Sequence, residues 1–358
     1  EITINDFNPV VEETLLAGGE GLVDDDSHDG GFSETTTASF SADFAIGAVD
    51  GSGIVTDAAR TATTSSLVTD GDEALEAYYS FQIDLSTSFT GEDSLDISLD
   101  GGNSGGAATE FDLNGTTNEA LTVDGISYTF PIGDKVTAFV GDNTDGSALY
   151  STACVYGGPG NTLDDCGAAT APLGSGSGTA AGASFDIGNG FTAAVGYTGA
   201  GSSSSGLLTK EGDDAYGAQL SYAADSYGAS VTYANTESSG VDTTYWALNG
   251  YYSFADGSLP SVSVGYEVGD PETSGAKDTT QYFVGLQWDE FGPGTFGVAL
   301  GTDGAFAEDA TEYMIYEAFY SYPVNDGMTI TPLIYVREKN NTNTPDQTGI
   351  LVKTSFSF

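Results

Sequence analysis

The chain carries 53 Asp and Glu against 7 Lys and Arg in 358 residues, a formal net charge of -46. Nucleic acid is excluded as a partner, because phosphate binding needs a basic face. Aromatic residues make up 11% and charged residues only 17%, a composition that folds, unlike an aromatic-poor acidic tail.

Residues 1–31 read as an acidic segment with one short predicted helix, VVEETLLAG at 10–18. The sequence opens on Glu1 and shows no signal peptide, as expected of a processed chain. The stretch VDDDSHDGG at 23–31 offers oxygen ligands that Ca²⁺ or another divalent cation would accept, but it lacks EF-hand spacing. A solvated acidic linker is the preferred reading, with His28 exposed and no cofactor required. No run reaches the ~18 apolar residues of a membrane helix.

From residue 32 onward, apolar and polar residues alternate with the period of a β-strand. Strands are predicted at 37–48, 79–89, 94–100, 121–130, 135–140, 179–187, 191–197, 215–223, 227–234, 244–254, 261–268, 280–288, 295–301, 313–322, 328–336 and 348–358. In the second, Phe81, Ile83 and Leu85 oppose Gln82 and Asp84; in the third, Leu95, Ile97 and Leu99 oppose Asp96, Ser98 and Asp100. The count is sixteen, with fourteen the alternative, because 121–140 and 179–197 are Ala- and Gly-rich and poorly bounded.

The connections alternate between short and long without exception. TGED, PIGD, GNG, AADS, ADGSLP, DEFGPG and PVNDG are tight turns, while 49–72, 101–118, 141–178 and 198–214 are long and the four remaining connections are of intermediate length. Both ends of the meander fall on the short-turn side. This asymmetry predicts an all-β transmembrane antiparallel up-and-down barrel over 32–358, with short periplasmic turns and longer external loops, in a Gram-negative-type outer membrane. A soluble sandwich would bury its apolar parity between sheets. Here the polar parity is crowded with Ser, Thr, Gly, Asp and Gln, as expected if it lines a lumen. Aromatics at Tyr78–Tyr79, Tyr245–Trp246, Tyr251–Tyr252, Phe254, Trp288, Tyr320 and Tyr322 mark strand ends, where interface girdles belong. The last strand, TGILVKTSFSF, closes the ring, with Phe356 and Phe358 as its aromatic terminus.

Three segments carry a family resemblance. YEAFYSYPVNDGMTITPLIYV followed by TGILVKTSFSF resembles the carbohydrate-selective porin family, in which a strand, a tight turn, an ITP strand and a Phe-terminated strand follow in this order. SFQIDLSTSFTGEDSLDISLDGGN is similar to that family's TSFTG hairpin, and FSETTTASFSADFAI to the opening strand of its cyanobacterial branch. The resemblance implies an outer-membrane homotrimer for passive carbohydrate and ion transport. Where the family hairpin tends to carry Arg or Lys, this chain has Gln82, Asp84, Asp96, Ser98 and Asp100; Lys353 keeps a basic residue in the last strand.

Parity places Asp43, Asp84, Asp96, Asp100, Asp186, Glu267 and Glu317 on the lumen side, with Lys135, Arg337 and Lys353 as the only cations there. Such a lumen sits at negative potential and favours cations modestly. Loop 141–178 holds Asp145, Asp164, Asp165 and both cysteines, Cys154 and Cys166, which are expected to pair. It folds inward as a constriction, or else remains outside and merely pins itself. The expected function is a water-filled channel for passive diffusion of small hydrophilic solutes and inorganic ions. The alternative is an acidic cell-surface structural or adhesive β-protein. An outer-membrane barrel enzyme would need a Ser/His or paired-acid site. Adjacent acids such as Asp25 and Asp26, or Asp164 and Asp165, come with no pocket pattern, so no catalysis is expected.

Overall fold

The structure, a computed structural model, describes residues 36–50, 74–105, 110–111, 113, 119–160, 162–163, 166, 173, 178–201, 206–209, 212–238, 240–255, 257–339 and 346–357. The segment 1–31 with its predicted helix and divalent-cation stretch, and also Asp164, Asp165 and Phe358, lie outside the described residues.

The strands are β1 Thr36–Asp50, β2 Glu76–Thr87, β3 Ser94–Gly102, β4 Thr122–Ile132, β5 Val136–Asp142, β6 Thr179–Gly188, β7 Phe191–Gly199, β8 Asp214–Ala223, β9 Tyr227–Ser238, β10 Val241–Tyr252, β11 Ser261–Pro271, β12 Thr279–Phe291, β13 Gly294–Thr302, β14 Phe306–Ala307, β15 Met314–Asn325, β16 Met328–Arg337 and β17 Gln347–Ser357. All pairings are antiparallel, each long strand pairs with the next long strand in the chain, and β17 returns to pair with β1 from Ser41↔Ser357 to Asp50↔Thr348. The two-residue β14 lies against the end of β12, while β13 pairs directly with β15. The result is a closed barrel of sixteen long strands with no free edge, the only sheet hydrocarbon tolerates.

Side-chain parity follows the sequence alternation, turned inside out relative to a globular core. Phe40, Phe44 and Ile46 of β1, Leu248 of β10, Val264 of β11 and Ile350 of β17 point outward and are exposed. Phe81, Ile83 and Leu85 face the same way, opposite Ala42, Phe40 and Ala38. Aromatic pairs ring the short-turn rim. Phe89, Tyr128 and Phe130 form one group, Phe191, Tyr222 and Tyr227 another, and Trp288, Phe296, Phe291 and Tyr320 a third. Phe356 meets Phe44 edge-to-face at 6.1 Å across the closing seam.

The structure corrects the sequence reading in three places. The short–long alternation fails between β9 and β10: both strands run further than expected, pairing to Val241↔Ser238, so a two-residue turn through Gly240 (φ 76°) replaces a loop of intermediate length. The aromatic doublets split across the sheet, because adjacent residues of a strand take opposite faces. Tyr79, Trp246 and Tyr252 face lipid, whereas Tyr78 and Tyr245 pack against buried clusters inside. Finally, one sector of the inner wall is apolar rather than polar: Phe283, Ile315, Phe319, Leu333, Tyr335 and Leu351 point inward and are buried.

Turn chemistry fixes the short rim. Asn189 (φ 57°) and Gly190 (φ 85°) supply the two left-handed positions of a β6–β7 hairpin turn. In the β2–β3 turn, Asp93 accepts hydrogen bonds from the Tyr128 hydroxyl (2.6 Å), the Thr90 amide (2.8 Å), the Phe89 amide (3.0 Å) and the Ser88 and Thr90 hydroxyls. The Tyr128 hydroxyl, followed by the Thr90 and Ser88 donors, holds its carboxyl well below the usual carboxylate range.

Two expectations follow. Leu248→Arg or Val264→Arg, each placing a charge on the lipid face, lowers folding stability by about 2–4 kcal/mol if the site lies at mid-bilayer, read from urea titrations in lipid vesicles. Asp93, whose folded pKa is depressed, contributes stability at all pH values above its unfolded pKa of about 3.9. The stability gap between wild type and Asp93→Asn therefore stays constant from neutral pH to about 4 and closes only as pH falls further towards the depressed value. A gap that closes already between pH 7 and 5 refutes this.

Candidate functional site

The lumen is shaped by the loop between β5 and β6, which folds into the barrel. Along its course, its backbone meets inward side chains of one strand after another. The Ser151 amide donates to Gln219 Oε1 of β8 and the Ser151 carbonyl accepts from Gln219 Nε2 (2.7 and 2.8 Å). The Val155 and Tyr156 amides donate to Ser263 Oγ of β11, and the Gly157 amide to Gln287 Oε1 of β12. Asn249 Nδ2 of β10 donates to the Cys166 carbonyl at 2.8 Å, Thr198 Oγ1 of β7 to the Leu173 carbonyl at 3.0 Å, and Lys353 Nζ of β17 to the Pro159 carbonyl at 3.1 Å. Cys154 and Cys166 are joined by a disulfide that closes a short loop within this segment, Cα to Cα 6.4 Å. Two glycines are required by the close approach. A Cβ on Gly265 would overlap the Cys166 carbonyl, and one on Gly196 the Gly146 carbonyl.

Glu317 of β15 anchors the middle of this loop. Its carboxylate accepts hydrogen bonds from the Tyr156 and Thr162 hydroxyls, and all three side chains are buried. Burial, reinforced by the Glu317 carboxylate, pushes the Tyr156 phenol above its ordinary value, so it remains the protonated donor. Tyr156 also packs against Phe283 and Phe319 at ring distances of 5.3 and 5.7 Å. The buried hydroxyl of Tyr156 is thus satisfied while its ring covers the apolar sector.

The inward residues expected from sequence fall into distinct groups. Asp96, Asp84, Asp100 and Asp43 stand on four successive inward rungs of adjacent strands. The rungs run Thr37–Ser86–Asp96, Ser39–Asp84–Ser98, Ser41–Gln82–Asp100 and Asp43–Ser80–Gly102. Three of them have neutral donors: Gln82 and Ser98 for Asp84 (both 2.7 Å), Ser94 for Asp96 (2.8 Å) and Thr122 for Asp100 (2.6 Å). Rungs repeat every two residues, about 6.8 Å along a strand. Glu267, also inward and buried, accepts from Gln281 Nε2 at 3.0 Å. Asp186 sits at the short-turn rim and caps the Gly188 amide at 2.8 Å. Asp145 lies in the inner loop, where its carbonyl accepts from the Ala148 amide.

Of the three expected lumen cations, Arg337 and Lys353 do point inward and Lys135 does not. Lys135 stands in the turn before β5 instead of on the strand, its ammonium 5.9 Å from the ring of outward-facing Phe185. Arg337 points inward but is buried against Glu110, Nη1 to Oε1 2.7 Å and Nη2 to Oε2 3.0 Å, with Asp303 at 3.4 Å. Lys353 is occupied by the inner loop. Glu110, Tyr156 and Thr162 were missed as site residues. The available signal was an isolated apolar or aromatic residue within an otherwise polar loop, as at Phe111, Leu113, Tyr156 and Leu173, all of which are buried. Among the described residues no group of three His, Cys, Asp or Glu is arranged to hold a metal ion.

A closed sixteen-strand barrel with an apolar exterior and a loop folded into its lumen defines a channel protein of the outer membrane. Residues 21–344 match the model of the Gram-negative porin family, and the chain belongs to that family. No curated protein sequence matches it. Among solved structures it is similar to an anion-selective porin from Comamonas acidovorans, at 14% identity and a TM-score of 0.62 over 90% of this chain and 99% of that one. It is also similar to OprB of Pseudomonas putida (11%, TM-score 0.61, 90% and 94%) and to a loop-deleted OmpT of Vibrio cholerae (9%, 0.58, 90% and 100%). At these identities the likeness shows the fold.

Glu317→Ala is expected to loosen the inner loop while leaving the barrel closed. Hydrogen bonds to a charged acceptor contribute about 1.5–3 kcal/mol each, so losing two lowers amide protection in 151–163 by roughly 100-fold or more. Hydrogen exchange measured by mass spectrometry checks this; unchanged protection there would show that Glu317 does not hold the loop.

Proposed function

We propose that the barrel passes small hydrophilic solutes and inorganic ions by diffusion, with a modest preference for cations, and that loop 143–178 forms its constriction. The observation that carries this reading is the run of Asp96, Asp84, Asp100 and Asp43 on consecutive rungs, combined with the withdrawal of Arg337 and Lys353 into contacts with inner loops. The acids face the lumen with neutral partners, while the basic groups that would offset them are engaged elsewhere.

The size of the preference follows from screening. At ~8 Å through water, a carboxylate and a monovalent ion interact by about 0.5 kcal/mol, cut to about 0.2 kcal/mol at physiological salt. Attraction of a cation and repulsion of an anion by four such groups separate the two by roughly 1.5 kcal/mol, a permeability ratio of about tenfold at most. Strict selectivity would need a dry filter that strips the ion of its water.

The finer family placement, a carbohydrate-selective porin of the cyanobacterial branch assembled as a homotrimer, is supported by the hairpin at 80–103 and the two C-terminal strands. The absence of a basic ladder on that hairpin favours ion and general solute passage over tight sugar binding. The test is the reversal potential across a planar bilayer in a KCl gradient. Wild type is expected on the cation side of zero, and the triple change Asp43→Asn, Asp84→Asn and Asp96→Asn is expected to bring it close to zero. A triple variant with the wild-type potential would remove these acids from the conduction path.

A further inference from the structure

Glu110, Phe111 and Leu113, which follow β3 in the chain, are buried inside the barrel. Glu110 reaches Arg337 on β16, and β2, β1 and β17 stand between β3 and β16 in the ring. We infer that Glu110, Phe111 and Leu113 form a strap laid along the inner wall, pinned by Arg337 and Lys353, which together with the β5–β6 loop sets the size cut-off of the channel.

Four contacts carry the inference. Glu110 and Arg337 meet through two parallel hydrogen bonds, and their side chains are only 7% and 8% exposed. A planar, two-point pair of this kind fixes direction as well as proximity. Phe111 is fully buried in the cluster that contains Leu333, Tyr335 and Leu351, which fixes the strap to the inner wall. Phe111 also pairs antiparallel with Gly160 of the other loop, where a Cβ would overlap the Glu110 carbonyl. Lys353 touches both loops, its ammonium donating to the Pro159 carbonyl and lying 5.7 Å from the Phe111 ring. Arg337 and Lys353 are therefore positioning residues, and the passage is bounded by two straps that brace each other.

The apolar sector of the wall acquires a purpose under this assignment. In an open, water-filled lumen, Ile315, Leu333 and Leu351 would be wetted; beneath two straps they are the dry seat on which those straps rest. Glu110 and Arg337 contribute opposite charges, so removing both leaves the lumen's net charge unchanged. The effect on solute size is thereby separable from the effect of the Asp rungs on ion selectivity.

The inference rests on the channel reading, and the experiment keeps the two apart. Wild type, Glu110→Ala and the double variant Glu110→Ala with Arg337→Gln, which leaves neither charge of the pair buried alone, are refolded and checked for heat-modifiable migration. Single-channel conductance and liposome swelling with a graded series of neutral oligosaccharides follow. Higher conductance and a cut-off shifted to larger sugars, with the reversal potential of the double variant unchanged, are expected. A wild type that does not conduct sinks the channel reading itself. Folded variants with wild-type conductance and cut-off overturn the strap alone. Hydrogen exchange on the unmodified protein needs no variant to fold: a slowly exchanging Phe111 amide supports the strap, and solvent-fast exchange there overturns it.

Discussion

Every feature of this protein depends on one constraint, that a backbone placed in hydrocarbon leaves no amide or carbonyl unpaired. The seam between β17 and β1 is what meets it. Ten residue pairs, from Ser41↔Ser357 to Asp50↔Thr348, complete a ring in which each long strand has a neighbour on both sides. Once the ring exists, strand alternation can assign one face to lipid and the other to a sheltered interior. The acidic composition then has to be accommodated by the interior, the rims and the loops, because the lipid face accepts almost none of it.

The interior is not a uniform aqueous bore. Four carboxylates climb the β1–β3 wall, three of them held by neutral donors, whereas the β12–β17 wall is largely apolar and covered. Two buried groups divide the work of covering it. Glu317 holds one loop through two hydroxyl donors, and Arg337 holds the other through a carboxylate. Each buried charge is matched, which is the condition under which burial is tolerable at all. Under the proposed reading, the channel's charge preference belongs to one wall and its dimensions to the other.

Strand existence and facing were legible in the sequence wherever polar and apolar residues strictly alternate, as at 79–87 and 94–100. They were illegible where both faces are buried. In PLIYV of β16, Ile334 meets lipid and Leu333 and Tyr335 meet the loops, so the run is continuously apolar and its period vanishes. The same holds for Phe283 and Phe319, aromatics that the alternation alone would send outward or leave unassigned. The turn through Gly240 was hidden because polar residues at 235–243 read as a loop while pairing as strand. The Glu110–Arg337 contact joins residues separated by 227 positions, and no local pattern encodes it. Which charges cancel one another is a matter of three-dimensional contact that composition does not carry.

Because the first and last long strands lie side by side, the hydrogen-bond lattice holds no record of where the polypeptide begins. Thr36 and Ser357 leave the ring on the same rim, so a linker between them would bridge adjacent staves without threading the bore. The origin could then be moved to the two-residue turn between β9 and β10, where a cut removes no lattice bond from the seam and leaves the β5–β6 loop uncut. Reordered in this way, the molecule would present its new ends on the opposite side of the membrane, a topology that its present chain order does not permit.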